Sequence, residues 1–247
     1  MFKATAGCVY MGVSASNSGD RDKQLVPKVK IALVGTYAVG KTSIITRYIR
    51  ETFSSEYIYT RGGNIHKKFI TVYGQKLQIE LIDTGGQDYQ KEIAPTLYKV
   101  AQGVLIVHDI SKPSSFEDVE EWLTSIRQKT LGDPVIMLIG NKNDLDPLGK
   151  TDDPPATNKN LTTGLARVSY EQCEEKVHQE GLLPFYSEVS AKTGMNIDPV
   201  FELLVKEILH KQNRLLGTIW EPDLGKVDDG RSAAEKPTSK SLTCTIL

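Results

Sequence analysis

The stretch GTYAVGKT, from Gly35 to Thr42, decides the fold, because it fits the pattern G-x-x-x-x-G-K-[ST]. It ends a short apolar run, KVKIALVG at 28–35, which predicts a buried strand. It leads into KTSIITRYIRETF, whose apolar spacing predicts an amphipathic helix. The backbone N–H groups of such a loop and the N-terminus of the helix form an anion site. The stretch therefore predicts a phosphate-binding strand–loop–helix unit.

Within this loop, two side chains have predicted roles beyond shape. Lys41 supplies positive charge to the β- and γ-phosphates, and the Thr42 hydroxyl is a ligand for Mg²⁺. The other predicted phosphate-binding positions of this segment are Gly35, Tyr37, Ala38, Val39, Gly40 and Ser43. The loop by itself leaves ATP, GTP and kinase chemistry open.

The rest of the chain alternates strand and helix patterns. Apolar runs predict two strands within 64–83, turning at 73–75, and further buried strands at 103–110, 134–140 and 183–189. Helical spacing predicts helices at 114–129, opened by Ser114 or Ser115, and at 169–180 and 199–212. This order predicts an α/β fold of the P-loop NTPase class, with a six-stranded, mostly parallel sheet and helices on both faces. Ligands of such sheets bind at the carboxyl ends of the strands.

Composition limits the classes of protein that this chain can represent. Residues 28–213 form the predicted domain, residues 1–27 a flexible arm, and residues 214–247 a disordered tail, with 146–166 as a surface insertion. The formal net charge of -1 over 247 residues argues against a nucleic-acid partner. Three separated cysteines form neither a disulfide framework nor a metal cluster, which favours a reduced compartment.

The end of the strand at 76–82 carries the second group of candidate residues. Asp83 follows the strand directly in LIDTGGQD, where a carboxylate can hold Mg²⁺ through water. Gly86 has no Cβ, so its N–H can approach a γ-phosphate closely. Gln87 can orient a water molecule for in-line attack, which makes it, with Lys41, the predicted catalytic residue.

The end of the strand at 134–140 selects the base. Asp144, in GNKND, can accept hydrogen bonds from the N1–H and the exocyclic amine of guanine, whereas adenine leaves it unpaired. Selection of this kind rejects the wrong substrate by about 10⁴–10⁵-fold. Asn141 and Lys142 would brace the same loop, and the stem of Lys142 can cover the face of the base. This pattern nearly excludes an ATP-using P-loop enzyme.

The sequence VSAKTG, after the strand at 183–189, completes the base site. Ser190 can support the loop, the Ala191 N–H can reach the guanine carbonyl, and Lys192 can lie along the base. With four motifs in this order, each at the carboxyl end of a strand, the chain resembles the Ras-like small GTPases over residues 28 to about 212. The resemblance implies a Ras-like G domain that binds GTP and GDP with Mg²⁺, hydrolyses GTP and acts as a switch.

The resemblance also implies roles for two further residues. Phe53 matches the aromatic residue that stacks edgewise on guanine, and Thr60 matches the threonine that ligates Mg²⁺ and reaches the γ-phosphate in the GTP state. Loss of that phosphate would release this loop and the segment after Asp83. The implied partners are effector proteins, an exchange factor and a GTPase-activating protein, which act on a monomer.

Three stretches, KLQIELIDTGGQD, IAPTLYKVAQGVLIVHDIS and SSFEDVEEWL, resemble the Rab branch, whose members serve vesicle trafficking. The chain departs from that branch at Arg61, Ile82 and Gly85. Its last residues, CTIL, fit a C-a-a-X signal for a geranylgeranyl group on Cys244. We therefore expect attachment to the cytoplasmic face of an intracellular or plasma membrane, with a cytosolic pool.

Two hypotheses about function, slow GTP hydrolysis and negligible turnover, depend on Tyr37. It stands at the loop position nearest the γ-phosphate and Gln87, where the Ras branch has glycine. A side chain there can crowd the attacking water or an incoming arginine finger, so we expect nucleotide binding with slow hydrolysis. Tyr37 and Gly85 also leave open a GTP-loaded binding scaffold with negligible turnover.

Overall fold

The computed structural model of the protein describes residues 26–56, 60, 62–86, 94–145 and 167–216. Within these residues one six-stranded sheet has the order β2-β3-β1-β4-β5-β6. Its strands are β1 (Lys28–Val34), β2 (Gly63–Val72), β3 (Gln75–Thr84), β4 (Gly103–Asp109), β5 (Val135–Asn141) and β6 (Ser187–Glu188). The β2–β3 pair is antiparallel and every other neighbouring pair is parallel. The predicted fold class is therefore confirmed.

Helices pack against this sheet. In the described ranges they are α1 (Lys41–Arg50), α2 (Ala94–Tyr98), α3 (Pro113–Glu117), α4 (Val119–Lys129), α5 (Tyr170–Gln179) and α6 (Ile197–Leu216). The helix α6 continues beyond residue 213, where we expected the domain to end. Within the described part of the chain, no helix has the length and apolar character needed to cross a bilayer.

The predicted helix start at Ser114 or Ser115 was wrong. The region 113–129 forms two helices, and the first begins at Pro113, because the fixed φ of proline suits the first helical position. The Ser115 hydroxyl is buried; it accepts the Asp109 N–H at 3.0 Å and donates to the Lys112 carbonyl at 2.7 Å. Ser115 therefore fastens the loop after β4 and does not cap a helix.

Two other differences are local. The strand predicted at 183–189 shortens to Ser187–Glu188, because a tight turn at Pro184 joins the Phe185 N–H to the Leu183 carbonyl at 2.6 Å. The five-residue helix α2 was not predicted, since so few residues cannot display a helical period. Neither difference moves the strand ends that carry the motifs.

Two apolar layers hold the sheet. On one face α1 and α6 cover it, and Tyr48 stacks on Phe201 with ring centroids 4.0 Å apart. On the other face α2, α4 and α5 cover it, with Trp122 and Cys173 in the core. His108, which directly precedes Asp109 in β4, is fully buried. Covered on both faces, the sheet leaves the carboxyl ends of its strands as the place for a ligand.

Candidate nucleotide-binding site

A cavity of about 610 Å³ lies at the carboxyl ends of β1, β3 and β5, a size that suits a small organic ligand. The predicted phosphate- and guanine-binding residues that line it are Tyr37, Ala38, Gly40, Lys41, Thr42, Ser43, Phe53, Thr60, Gly86, Asn141, Lys142, Asp144, Ala191 and Lys192. The predicted residues Gly35, Val39 and Ser190 are buried behind its walls. Segments far apart in the sequence thus meet at one site.

The N-terminal end of helix α1 lines the cavity. The preceding residue, Gly40, adopts a left-handed conformation with φ of 98°. A β-carbon on Gly40 would overlap the side-chain amide of Asn141, so the loop needs glycine here. Within the described residues, the first turn of α1 carries no acidic side chain and no side-chain cap, and its residues Lys41, Thr42 and Ser43 line the cavity. This helix end is therefore suited to an anion.

Lys41 lies under the loop and not in solvent. Its ammonium donates to the carbonyls of Gly35 at 2.6 Å and Thr36 at 2.9 Å. Burial lowers the pKa of Lys41 to about 8, and the nearby Asp83 carboxylate opposes that shift. A phosphate bound in the loop would add negative charge beside this ammonium and favour its protonated form.

Three oxygen-bearing side chains converge beside Lys41. The Thr42 hydroxyl donates to Asp83 Oδ2 at 2.7 Å and lies 2.8 Å from the Thr60 hydroxyl, which is 3.4 Å from the same carboxylate oxygen. The buried second oxygen, Asp83 Oδ1, has no hydrogen-bond partner in the described ranges. Burial raises the pKa of Asp83, and the hydrogen bond from Thr42 and the charge of Lys41 act against that rise. Two hydroxyls and one unsatisfied carboxylate oxygen are the hard ligands that fit Mg²⁺.

Gly86 brings the end of β3 against the phosphate-binding loop. A β-carbon built on Gly86 would stand 2.6 Å from the backbone nitrogen of Tyr37 and 2.5 Å from the Lys41 ammonium. Only glycine allows this approach without a shift of the loop. Gln87, the predicted water-orienting residue, lies outside the described residues, as does Arg61.

The base end of the cavity is held by bonds between loops. Asn141 donates from Nδ2 to the Val39 carbonyl at 2.8 Å, and its Oδ1 accepts the Ala191 N–H at 3.1 Å. Asn141, at the end of β5, thus joins the phosphate-binding loop to the loop after β6. We expected the Ala191 N–H to face the guanine carbonyl. It donates to Asn141 Oδ1, so a hydrogen bond from the same N–H to a base would be a second, bifurcated contact.

Asp144 is held with both carboxylate oxygens in defined positions. The Ser190 hydroxyl donates to Asp144 Oδ1 at 2.7 Å, and the Lys192 ammonium lies 3.5 Å from Oδ2. Ser190 also accepts the Thr193 N–H at 3.1 Å, which fixes its hydroxyl. The ring of Phe53 stands at the rim and is 39% exposed, as a side chain that covers a ligand edge would be.

Sequence reasoning missed the residues that hold these loops from outside. Arg47 on α1 donates to the carbonyls of Ala191 at 2.8 Å and Lys192 at 2.6 Å. Asp109, at the end of β4, pairs with the ammonium of Lys142 at 2.6 Å. Asp109 had a usable signal, since it follows a buried strand as Asp83 does; Arg47 had none, because it reads as an ordinary basic residue of a helix.

Tyr37 points toward the segment that follows β4. Its ring is 48% exposed, and the Lys112 ammonium lies 4.6 Å from the ring centroid. The neighbouring Thr36 hydroxyl donates to Asp118 Oδ2 at 2.6 Å. The predicted effect of Tyr37 on hydrolysis stays a prediction, and so do the lipid attachment at Cys244 and the predicted insertion at 146–166, which lie outside the described residues.

Comparison with known proteins agrees with this geometry. The family model described as "Ras family" matches residues 30–210. The chain is 31% identical to the bovine (Bos taurus) "Ras-related protein Rab-13" over 74% of this chain and 80% of that protein. It is 35% identical to "Ras-related protein RabC" of Dictyostelium discoideum, over 72% of this chain and 83% of that protein. It is 32% identical to "GTP-binding protein YPT52" of Saccharomyces cerevisiae, over 85% of this chain and 97% of that protein.

The matched region contains all the described strands except the first two residues of β1, and all the residues that line the cavity. The chain belongs to the Ras family, and its relatives place it in the Rab branch.

Proposed function

We propose that this protein is a guanine-nucleotide switch that binds GTP and GDP with Mg²⁺ and hydrolyses GTP slowly. The observation that carries the proposal is the position of Asp144 at the base end of the cavity. Ser190 and Lys192 hold its two oxygens, so that the carboxylate presents a paired acceptor to one edge of a base. Guanine offers two adjacent donors there and adenine does not, which supports GTP over ATP.

The phosphate end supports the chemistry. Thr42, Thr60 and Asp83 would hold Mg²⁺, which when bound neutralises charge on the β- and γ-phosphates. Lys41 and the N-terminus of α1 would stabilise the charge that develops as the γ-phosphoryl group leaves. Gln87 follows Gly86 directly, and its proposed task is to orient the attacking water.

The switch rests on contacts that only a third phosphate can make. Thr60 and Gly86 both border the cavity, one before β2 and the other after β3. With GTP bound, their N–H groups would share the γ-phosphate and hold both segments together. Hydrolysis removes that shared ligand, so the two segments separate in the GDP state.

Partners follow from the family and the sequence. We propose that effector proteins read the GTP state, that an exchange factor loads GTP, and that a GTPase-activating protein supplies the cation that speeds hydrolysis. A prenyl group on Cys244 would attach the monomer to a membrane in vesicle trafficking. One prenyl chain gives only reversible attachment, which leaves a cytosolic pool.

Binding measurements on full-length protein test this proposal. Nucleotide-free protein is titrated calorimetrically with GTP, GDP and ATP, with and without Mg²⁺. We expect tight, Mg²⁺-dependent binding of GTP and GDP, and ATP binding weaker by at least about 10⁴-fold. Equal affinity for ATP and GTP would contradict the proposed base selection.

Tyr37 favours a second candidate function, a GTP-loaded scaffold with negligible turnover. Its half-exposed ring stands at the mouth of the cavity, where a partner's arginine would have to enter. Single-turnover hydrolysis with and without a cell extract separates the two functions. Hydrolysis that the extract accelerates supports the switch, and a rate that stays at background in both supports the scaffold.

A further inference from the structure

Lys112 lies outside the residues that the nucleotide motifs identify, yet it contacts the phosphate-binding loop. It follows β4 and directly precedes α3, at the carboxyl edge of the sheet. Its ammonium stands over the ring of Tyr37, 4.6 Å from the centroid, within the range in which a cation attracts an aromatic face. The contact joins the loop after β1 to the segment after β4.

The strand order shows on which side of the phosphate-binding loop this contact lies. Because β1 lies between β3 and β4, the phosphate-binding loop lies between the segment that ends in Gly86 and the segment that contains Lys112. The backbone nitrogen of Tyr37 faces Gly86, since a β-carbon built on Gly86 would stand 2.6 Å from that nitrogen. The ring of Tyr37 faces Lys112 on the opposite side. The backbone of Tyr37 therefore faces the segment after β3, and its ring faces the segment after β4.

A second bond holds a side chain of the same loop. The Thr36 hydroxyl donates to Asp118 Oδ2 at 2.6 Å, so two consecutive loop residues are tied to the segment 112–118. Thr36 is buried, whereas the ring of Tyr37 is half-exposed. The Thr36 side chain is therefore held, whereas the half-exposed Tyr37 side chain has room to change its orientation.

We infer that Lys112 is a positioning residue for GTP hydrolysis, which acts by holding the Tyr37 ring on the β4 side of the loop. The inference rests on the proposed GTPase activity. The ring would have two positions: on the β4 side, where the side of the loop next to Gly86 is open for the attacking water, and above the phosphates, where the ring slows hydrolysis. Lys112 favours the first position, so without Lys112 the ring lies above the phosphates more often and hydrolysis slows further.

The expected size of the effect is small and measurable. An exposed cation–π contact biases an orientation by about two- to fivefold. Lys112→Ala should therefore lower the single-turnover rate by up to about fivefold, with the affinity for GDP unchanged. Lys112→Arg should keep the rate, because a guanidinium also binds an aromatic face. Lys129→Ala, which removes an exposed lysine at the end of α4, is the matched control.

Fluorine NMR of protein labelled with 3-fluorotyrosine reads the ring itself. The resonance of Tyr37 is assigned by its loss in Tyr37→Phe and is followed with GDP and with a non-hydrolysable GTP analogue, both with Mg²⁺. We expect Lys112→Ala to shift it and Lys112→Arg and Lys129→Ala to leave it in place. In the Tyr37→Gly background, Lys112→Ala should have no further effect on hydrolysis.

Two results would overturn the inference: an unmoved Tyr37 resonance in Lys112→Ala, or a loss of rate that persists in the Tyr37→Gly background. The first would show no contact, and the second a role independent of the ring. Hydrolysis that is no faster in Tyr37→Gly alone would instead contradict the proposal that Tyr37 slows hydrolysis, and the Tyr37 resonance would still show whether Lys112 contacts the ring.

Discussion

The two ends of the nucleotide cavity are built differently. At the base end, hydrogen bonds and ion pairs join the described loops to each other: Asn141 to Ala191, Ser190 to Asp144, and Lys142 to Asp109. At the phosphate end, Lys41 donates to carbonyls of its own loop, Thr42 and Thr60 contact Asp83, and Asp83 Oδ1 has no hydrogen-bond partner among the described residues. The base end is thus held by bonds between loops, whereas the phosphate end contains a buried ammonium and an unsatisfied carboxylate oxygen that suit a phosphate and a metal ion.

The departures from the family pattern do not include the predicted base-binding residues. Tyr37 lines the cavity at its phosphate end, Gly85 directly precedes Gly86, and Ile82 packs in the core on β3. Arg61 lies outside the described residues. The predicted base-binding residues keep the family pattern. Nucleotide identity should therefore be read as in other family members, and the rate of hydrolysis is the property that we expect to differ.

The largest expected effect is at the base end. Asp144→Ala removes both hydrogen bonds to guanine, and a bond to a charged group contributes about 1.5–3 kcal/mol. The affinity for GDP should fall by about 10²–10⁴-fold, while the affinity for ATP stays low. Calorimetric titration measures both, with Asp133→Ala, which removes an exposed carboxylate elsewhere, as the control. An unchanged affinity for GDP would show that the base does not contact Asp144.

A smaller effect is expected at the phosphate end. Thr60→Ala removes one proposed ligand of Mg²⁺ and of the GTP state, a loss of about 1.5 kcal/mol. Affinity for a non-hydrolysable GTP analogue should fall about tenfold, with less change for GDP. Ser55→Ala, which removes another hydroxyl at the cavity rim, is the control. Equal losses for both nucleotides would mean that Thr60 does not distinguish the two states.

The smallest effect concerns the support beneath the base end. His108 contacts the Tyr186 hydroxyl at 3.0 Å and the Cys173 sulfur at 3.6 Å. It precedes Asp109 in β4 and lies opposite Gly140 of β5. Burial lowers the pKa of His108 to about 4, and the charge of Asp109 opposes that shift. Its folded pKa lies below the unfolded value of about 6.5, so the unfolded chain binds more protons between these values. Stability should therefore fall as pH drops from about 6.5 to 4.

His108→Gln tests that prediction, since glutamine is polar and does not titrate. Urea unfolding of GDP-bound protein is measured between pH 4 and pH 7, as is that of His178→Gln, which changes a histidine in the last turn of α5. The fall in stability should be smaller in His108→Gln alone. A slope identical to that of the unchanged protein would place the acid sensitivity elsewhere.

Local patterns were enough to predict the sheet and most of the cavity. Each motif, such as Asp83 or Asp144, follows an apolar run, and parallel strands bring such ends together. The sequence could not show which side chains support the motifs. Arg47 contacts residues 144 and 145 positions away, and Lys112 and Asp118 reach the phosphate-binding loop only because β4 lies beside β1.

The helix start at Pro113 and the short β6 were missed for another reason. Pro113 begins a helix, and Pro184 lies in a turn that delays the start of β6, so both prolines override the apolar pattern around them. These errors lie at element ends, so they left the site residues in place.

The single-turnover rate of GTP hydrolysis in Tyr37→Gly, compared with the unchanged protein, tests the central claim most directly. Relief of an overlap of about 1–3 kcal/mol should raise the rate about five- to a hundredfold. Calorimetry should show the same affinity for GDP in both proteins. Equal rates, with and without an activating extract, would contradict the claim that Tyr37 limits hydrolysis at an otherwise intact site.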